Sequence, residues 1–232
     1  MKIILISGWG FPASCWNAVR HQLVGLPMSI QTVSWEDWLT MGAALLAAEH
    51  DRVILIGWSL GGMLALQSAI AHPHKVAACM MISSTARYTA DVDYPGVDPR
   101  SLAQLRKQIA RTTEPALTAF ADSCAAPQSA DSWRDSFLES AMALGPKALD
   151  TGLEILATAD LRTAAAGLAC PLRLLHGDAD QVVPMASAQW LTDVAPCCGF
   201  ERLSGTGHDL PLSHPRAVAR SIRSFVDALV HG

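Results

Sequence analysis

The chain opens with a short apolar run, Ile3–Ile6, that stops at Ser7-Gly8-Trp9-Gly10. From about Ser14 to Val24 the apolar positions Trp16, Val19 and Leu23 recur at helical spacing. Ile30–Val33 is a second strand-like run, and Glu36–Glu49 has helical character. Val53-Ile54-Leu55-Ile56 is a third apolar run and leads directly into Gly57. Gly62–Ala71 is a helix of small residues ended by His72-Pro73, and Val76–Ile82 is a fourth strand. Strands that read as continuous apolar runs, separated by helices, predict a mostly parallel sheet buried on both faces.

Between Arg87 and Asp160 no strand-like run occurs. Asp98-Pro99 is a helix start, followed by Leu102, Leu105 and Ile109 at helical spacing. Leu117–Phe120, Trp133–Leu144 and Ala148–Leu156 also suit helices. The alternation then resumes with a strand at Leu172–Leu175, a helix at Ala186–Val194, a strand at Phe200–Leu203 and a closing amphipathic helix at Pro215–Val230. The expected organisation is an α/β core formed by residues 1–86 and 161–232, with residues 87–160 inserted as a helical cap. Insertions beyond the carboxyl ends of sheet strands commonly cover a binding crevice.

The chain has 232 residues, half of them hydrophobic and 16% charged, which suits one domain with a substantial core. A net charge of −4 argues against a nucleic-acid partner. No apolar run approaches the roughly 18 residues that cross a bilayer. The N-terminal run breaks too early for a secretory signal, so the expected location is cytoplasmic, without a membrane partner. The six cysteines lack Cys-x-x-Cys spacing, and acids and histidines do not cluster as metal ligands. No phosphate-cradling or dinucleotide glycine motif is present, so no cofactor is expected. A monomer is the default, since no pattern signals an oligomer.

The strongest chemical signal is Gly57-Trp58-Ser59-Leu60-Gly61-Gly62, a Gly-x-Ser-x-Gly motif between a predicted strand and a predicted helix. Such a turn strains the serine backbone, and small neighbours prevent a clash. It lifts the Ser59 hydroxyl above the sheet and points the first helical amides at a reacting carbonyl. A serine hydroxyl needs a base, and the base needs an orienting carboxylate. His208, in the tight loop Gly205-Thr206-Gly207-His208 after the last strand, is the expected base; His176, at a strand end, is the weaker competitor. The spacing Gly177-x-x-Asp180-x-x-Val183-Pro184 selects Asp180 as the acid. Asp178 is expected to shape the turn, and Asp209, adjacent to His208, is the remaining alternative. The order serine, acid, histidine is that of α/β-hydrolases. The backbone amides of Trp9 and Leu60 are the expected oxyanion donors.

These residues resemble the α/β-hydrolase superfamily over the whole chain. Within it the chain resembles the pimeloyl-[acyl-carrier-protein] methyl ester esterases of biotin synthesis. That resemblance rests on Gly8-Trp9-Gly10, the Ser59 motif, Tyr94-Pro95-Gly96, Gly152-Leu153-Glu154-Ile155-Leu156, Asp160-Leu161-Arg162, Asp180, His208 and Ser213-His214-Pro215. It implies a serine carboxylesterase that works through an acyl-enzyme, with Trp9 and Trp58 beside an apolar substrate channel. It also implies docking of an acyl carrier protein on basic cap residues, for which Arg100, Lys107 and Arg111 could share one helix face.

Three departures from the family pattern stand out. Ser7 occupies a position usually held by His. The usual leading strand pair is shortened or missing. The segment 87–160 carries seven Lys/Arg against eleven Asp/Glu, so the expected docking surface is acidic overall. The acidic balance favours a second reading, a short-chain esterase or thioesterase acting on a free metabolite. A third is a ligand-binding protein on the same fold without catalysis.

Overall fold

A computed structural model describes residues 1–231. Six strands are separated by helices along the chain. The strands are β1 (Lys2–Ile6), β2 (Ser29–Val33), β3 (Val53–Trp58), β4 (Val76–Ile82), β5 (Leu172–Gly177) and β6 (Cys198–Leu203). They form one sheet in the order β2-β1-β3-β4-β5-β6, and every neighbouring pair is parallel.

The strand order decides which face each helix covers. The chain steps from β1 outward to β2, then crosses back to β3 and continues toward β6. Right-handed crossovers therefore place α1 (Asn17–Gln22) on one face. They place α2 (Trp35–Ala48) and α3 (Leu60–Ala71) on the other. The closing helix α10 (Pro215–His231) packs against α1, and α2 packs against α3. Burial on both sides explains why β1 and β3 are apolar at nearly every position; Ile3–Ile6 and Ile54–Ile56 have no exposed surface. The reversal between β1 and β3 is a topological switch point, where a crevice opens beyond the strand ends.

Three longer helices separate β4 from β5: α4 (Pro99–Arg111), α5 (Thr113–Ala125) and α6 (Arg134–Thr158). They pack on one another. Within α6 the helix breaks at Gly145, whose φ of 76° is followed by Pro146. The two helices expected at Trp133–Leu144 and Ala148–Leu156 thus meet end to end. The short α7 (Arg162–Ala165), the helix α8 (Met185–Val194) and the short α9 (Leu210–Ser213) complete the chain. Among the described residues no helix is long and apolar enough to cross a membrane.

Candidate active site

Ser59 sits where β3 turns into α3, with φ 54° and ψ −122°. A left-handed serine costs on the order of 1–3 kcal/mol, and such strain persists only where the surroundings enforce it. The enforcement is close packing. A Cβ on Gly57 would lie 2.0 Å from the Gly61 carbonyl oxygen, and one on Gly61 would lie 2.4 Å from the Ser7 carbonyl oxygen. The Ser84 hydroxyl donates to the Ser59 carbonyl at 2.7 Å, and Ser59 N–H donates to the Ile82 carbonyl at 2.9 Å. The Ser59 residue is half-buried, while Trp58 and Leu60 on either side are fully buried.

The loop after β1 lies directly against this turn. A Cβ on Gly8 would sit 3.3 Å from Ser59 Cβ. Ser7 Oγ donates to the Phe11 carbonyl at 2.6 Å and accepts from Trp35 N–H at 3.1 Å. The Ser7 side chain therefore ties the loop after β1 to the start of α2. Leu60 is the first residue of α3, so its amide has no acceptor within the helix.

His208 is 1% exposed. Its Nδ1 is 2.8 Å from Asp180 Oδ2, and its Nε2 is buried without a hydrogen-bond partner. Asp180 Oδ1 accepts from the backbone N–H groups of Val182 and Val183 at 2.8 and 2.9 Å. Burial pushes the Asp180 carboxyl upward, but the charge and hydrogen bonds of His208 and His176 outweigh it and hold it far below the usual range. The structure thus brings Asp180 and His208 into contact. Ser59 Oγ and His208 Nε2 are not hydrogen-bonded, a link that often tightens only when substrate binds.

The competing candidates have other partners. Asp178 Oδ1 accepts from Gly205 N–H at 2.6 Å, which shapes the turn. Asp209 accepts from the Trp133 indole at 3.0 Å and from the Ser213 hydroxyl at 2.8 Å. His176 also lies against Asp180, with Nε2 3.2 Å from Oδ2, and its Nε2 is 2.9 Å from the Val183 carbonyl oxygen.

Trp9 and Trp58, expected beside a substrate channel, are both packed into the walls around the site. Trp58 has no exposed surface, and its indole N–H donates to the His208 carbonyl at 2.9 Å. Its ring packs on Phe11 at 4.5 Å and tilts against His208 at 5.8 Å. Trp9 is also buried; its indole donates to the Leu149 carbonyl of α6 at 2.8 Å, and its ring meets Phe120 edge-on at 4.9 Å.

Sequence reading missed the aromatic ring set contributed by α5 and α6. Phe137 lies 4.3 Å from Phe11, and Trp133 lies 5.6 Å from it. It also missed how the end of α5 holds the histidine loop. The Cys124 carbonyl accepts from the amides of His208 and Asp209 at 2.9 and 3.2 Å. The Gln128 amide donates to the Gly205 carbonyl at 2.8 Å. The available signal was Gly207, where a Cβ would lie 2.2 Å from the Ala126 carbonyl oxygen.

Arg100, Lys107 and Arg111 are exposed on α4 and make no salt bridge among the described residues. Arg106 differs, since it pairs with Asp150 and Glu154 of α6. A cleft of about 500 Å³ lies here, lined by Pro99, Leu102, Ala103 and Ala157 together with Arg87, Arg106 and Lys107. Among the described residues no group of three or more His, Cys, Asp or Glu side chains is placed to hold a metal ion.

A parallel sheet with a strained serine at the strand–helix turn, at the end of β3, defines an α/β-hydrolase. A family model described as "Serine aminopeptidase, S33" matches residues 34–212. The pimeloyl-[acyl-carrier protein] methyl ester esterase of Edwardsiella ictaluri is 31% identical, with 97% of this chain and 93% of that protein covered. The enzyme of the same name from Aromatoleum aromaticum is 30% identical, with 97% of each covered. An esterase structure from Exiguobacterium antarcticum superposes with a TM-score of 0.87 at 17% identity, covering 98% of this chain and 92% of that one, which shows a shared fold. The chain belongs to the α/β-hydrolase family represented by these esterases and is a hydrolase of the carboxylesterase type.

Proposed function

We propose that this protein hydrolyses the methyl ester of a pimeloyl group carried on acyl carrier protein, through an acyl-enzyme on Ser59. The observation that carries the hydrolytic part is the buried, unpartnered Nε2 of His208, whose Nδ1 is held by Asp180 beside the strained Ser59 turn. The names of the two relatives support the choice of ester.

In this reading Ser59 Oγ attacks the ester carbonyl while His208 Nε2 takes its proton. The amides of Trp9 and Leu60 hold the developing oxyanion; losing one such donor typically costs about 10²–10³ in rate. The tetrahedral intermediate collapses, and the methoxy oxygen leaves with the His208 proton as methanol. Water then gives its proton to His208 and attacks the acyl carbonyl. Collapse of the second intermediate returns that proton to Ser59 and frees the carboxylic acid. No metal or cofactor enters these steps. Residues 87–160 act as the cap, and Phe11, Phe120, Trp133 and Phe137 supply apolar walls for the acyl chain. Carrier protein docks through Arg100, Lys107 and Arg111, and the reaction is placed in the cytoplasm.

The acidic balance of residues 87–160 favours a second reading, hydrolysis of a free small ester or thioester. Methanol release from methyl pimeloyl-carrier protein, run beside free dimethyl pimelate, separates the two. Preference for the carrier-linked ester supports the first reading. Equal or better turnover of the free ester overturns it.

A further inference from the structure

We propose that His176 is a positioning residue of the hydrolytic site. Its ring, anchored on the Val183 carbonyl, lies against the same Asp180 oxygen as His208 and fixes the carboxylate in place. The proposal rests on the reading of Ser59, Asp180 and His208 given above.

His176 is the next-to-last residue of β5 and is 1% exposed. Its Nε2 is 2.9 Å from the Val183 carbonyl oxygen and 3.2 Å from Asp180 Oδ2. A carbonyl only accepts, so Nε2 carries the proton and donates. Asp180 Oδ2 accepts from His208 Nδ1–H at 2.8 Å and has the His176 ring nitrogen 3.2 Å away, while Oδ1 accepts from two backbone N–H groups. Val183 is tied in both directions, its N–H to Asp180 and its carbonyl to His176. The carboxylate has no freedom to rotate. Gly177, the next residue, packs so tightly on the histidine loop that a Cβ would lie 2.3 Å from the Thr206 carbonyl oxygen. The end of β5 thus sets both the acid and the loop that carries the base.

A role limited to satisfying the Val183 carbonyl does not require the approach to Asp180. With His176 and His208 both against Oδ2 and two backbone N–H groups on Oδ1, the carboxylate is held in the orientation that meets His208 Nδ1. The other titratable groups near this carboxylate are the Tyr88 phenol and the Cys124 thiol, both pushed up by burial and so uncharged at neutral pH. Asp178 of the same turn binds Gly205 N–H and lies 3.7 Å from Arg202, and Asp209 binds Trp133 and Ser213.

The test compares wild type with His176→Phe, His176→Gln and His176→Asn, using p-nitrophenyl butyrate across pH. Phe removes the donor, Gln keeps an N–H at the reach of Nε2, and Asn stops short. In His176→Phe, kcat should fall about tenfold or more with KM within about twofold. His176→Gln should retain most of the rate. A folded His176→Phe with wild-type kcat overturns the proposal. If the Phe variant does not fold, the Gln and Asn variants decide: Gln well above Asn supports the role, and equal rates overturn it. Fluorophosphonate labelling of Ser59 in the wild type is measured alongside. Without that label the underlying serine-hydrolase reading fails; with it, a null result in the His176 variants sinks only the role of His176.

Discussion

The indole N–H of Trp58 donates to the backbone carbonyl of His208 at 2.9 Å, across 150 residues of sequence. The residue before the serine therefore carries the loop that holds the histidine. Trp58→Phe keeps the ring packing and deletes this one donor. The buried carbonyl left behind costs about 1–3 kcal/mol, and a domain of this size loses roughly 2–4 °C in Tm per kcal/mol. Hydrolysis should fall about tenfold as His208 loses its support, with KM little changed. Thermal unfolding and steady-state kinetics check both.

Gly207 is the second control on that loop. A Cβ there would approach the Ala126 and Cys124 carbonyl oxygens to 2.2 and 2.9 Å, both backbone atoms that cannot swing away. Gly207→Ala should push the histidine loop from the end of α5, with kcat down by about 10² or more, since small misplacements of catalytic groups are costly. Gly205→Ala is the control, because no atom lies within 4 Å of its Cβ position, although its φ of 71° still adds some strain. Near-wild-type rates in Gly207→Ala would refute this account of the loop.

Acid sensitivity follows from carboxylates held low. Asp160 is brought down to about 2, chiefly by hydrogen bonds from Arg162, with Arg87 adding another. An unfolded Asp titrates near 3.9, so this stabilisation is complete above about pH 4 and is lost as pH falls toward the folded value. Asp160→Asn should be less stable than wild type at pH 7. The difference should narrow between about pH 4 and 2, and also in high salt because the pair is exposed. Denaturant unfolding at several pH values measures it; a gap that widens on acidification contradicts the assignment.

Charge on α4 gives a prediction about substrate. Replacing Arg100, Lys107 and Arg111 together with Ala should raise KM for a carrier-linked ester by about 10-fold at low salt and less at high salt. KM for p-nitrophenyl butyrate should stay unchanged. An equal change for both substrates would mean these side chains do not dock a carrier.

The fold was legible because its signals are local. Continuous apolar runs named the strands, and the glycines around Ser59 marked a turn so tight that a Cβ on Gly57 or Gly61 would come within 2.0–2.4 Å of a backbone oxygen. Asp180 stood out by its spacing to Val183 and Pro184. Other features come from residues far apart in sequence and left no periodic trace. Cys124 holding His208, Trp133 holding Asp209 and the burial of Trp58 beneath His208 are of this kind. Short elements escaped for a related reason. The four residues of α9 and the four of α7 are too few to show a helical period. The helix expected over Ser14–Val24 instead divides into a 3₁₀ turn at Ala13–Trp16 and α1, ending before Gly25 with its φ of 92°.

The most direct measurement is acid-quenched mass spectrometry of the protein during turnover of p-nitrophenyl butyrate. The account predicts one added butyryl group, located on the peptide that contains Ser59, and neither adduct nor turnover in Ser59→Ala. A Ser59→Ala variant that still hydrolyses the ester, or an acyl group found on another residue, would contradict it.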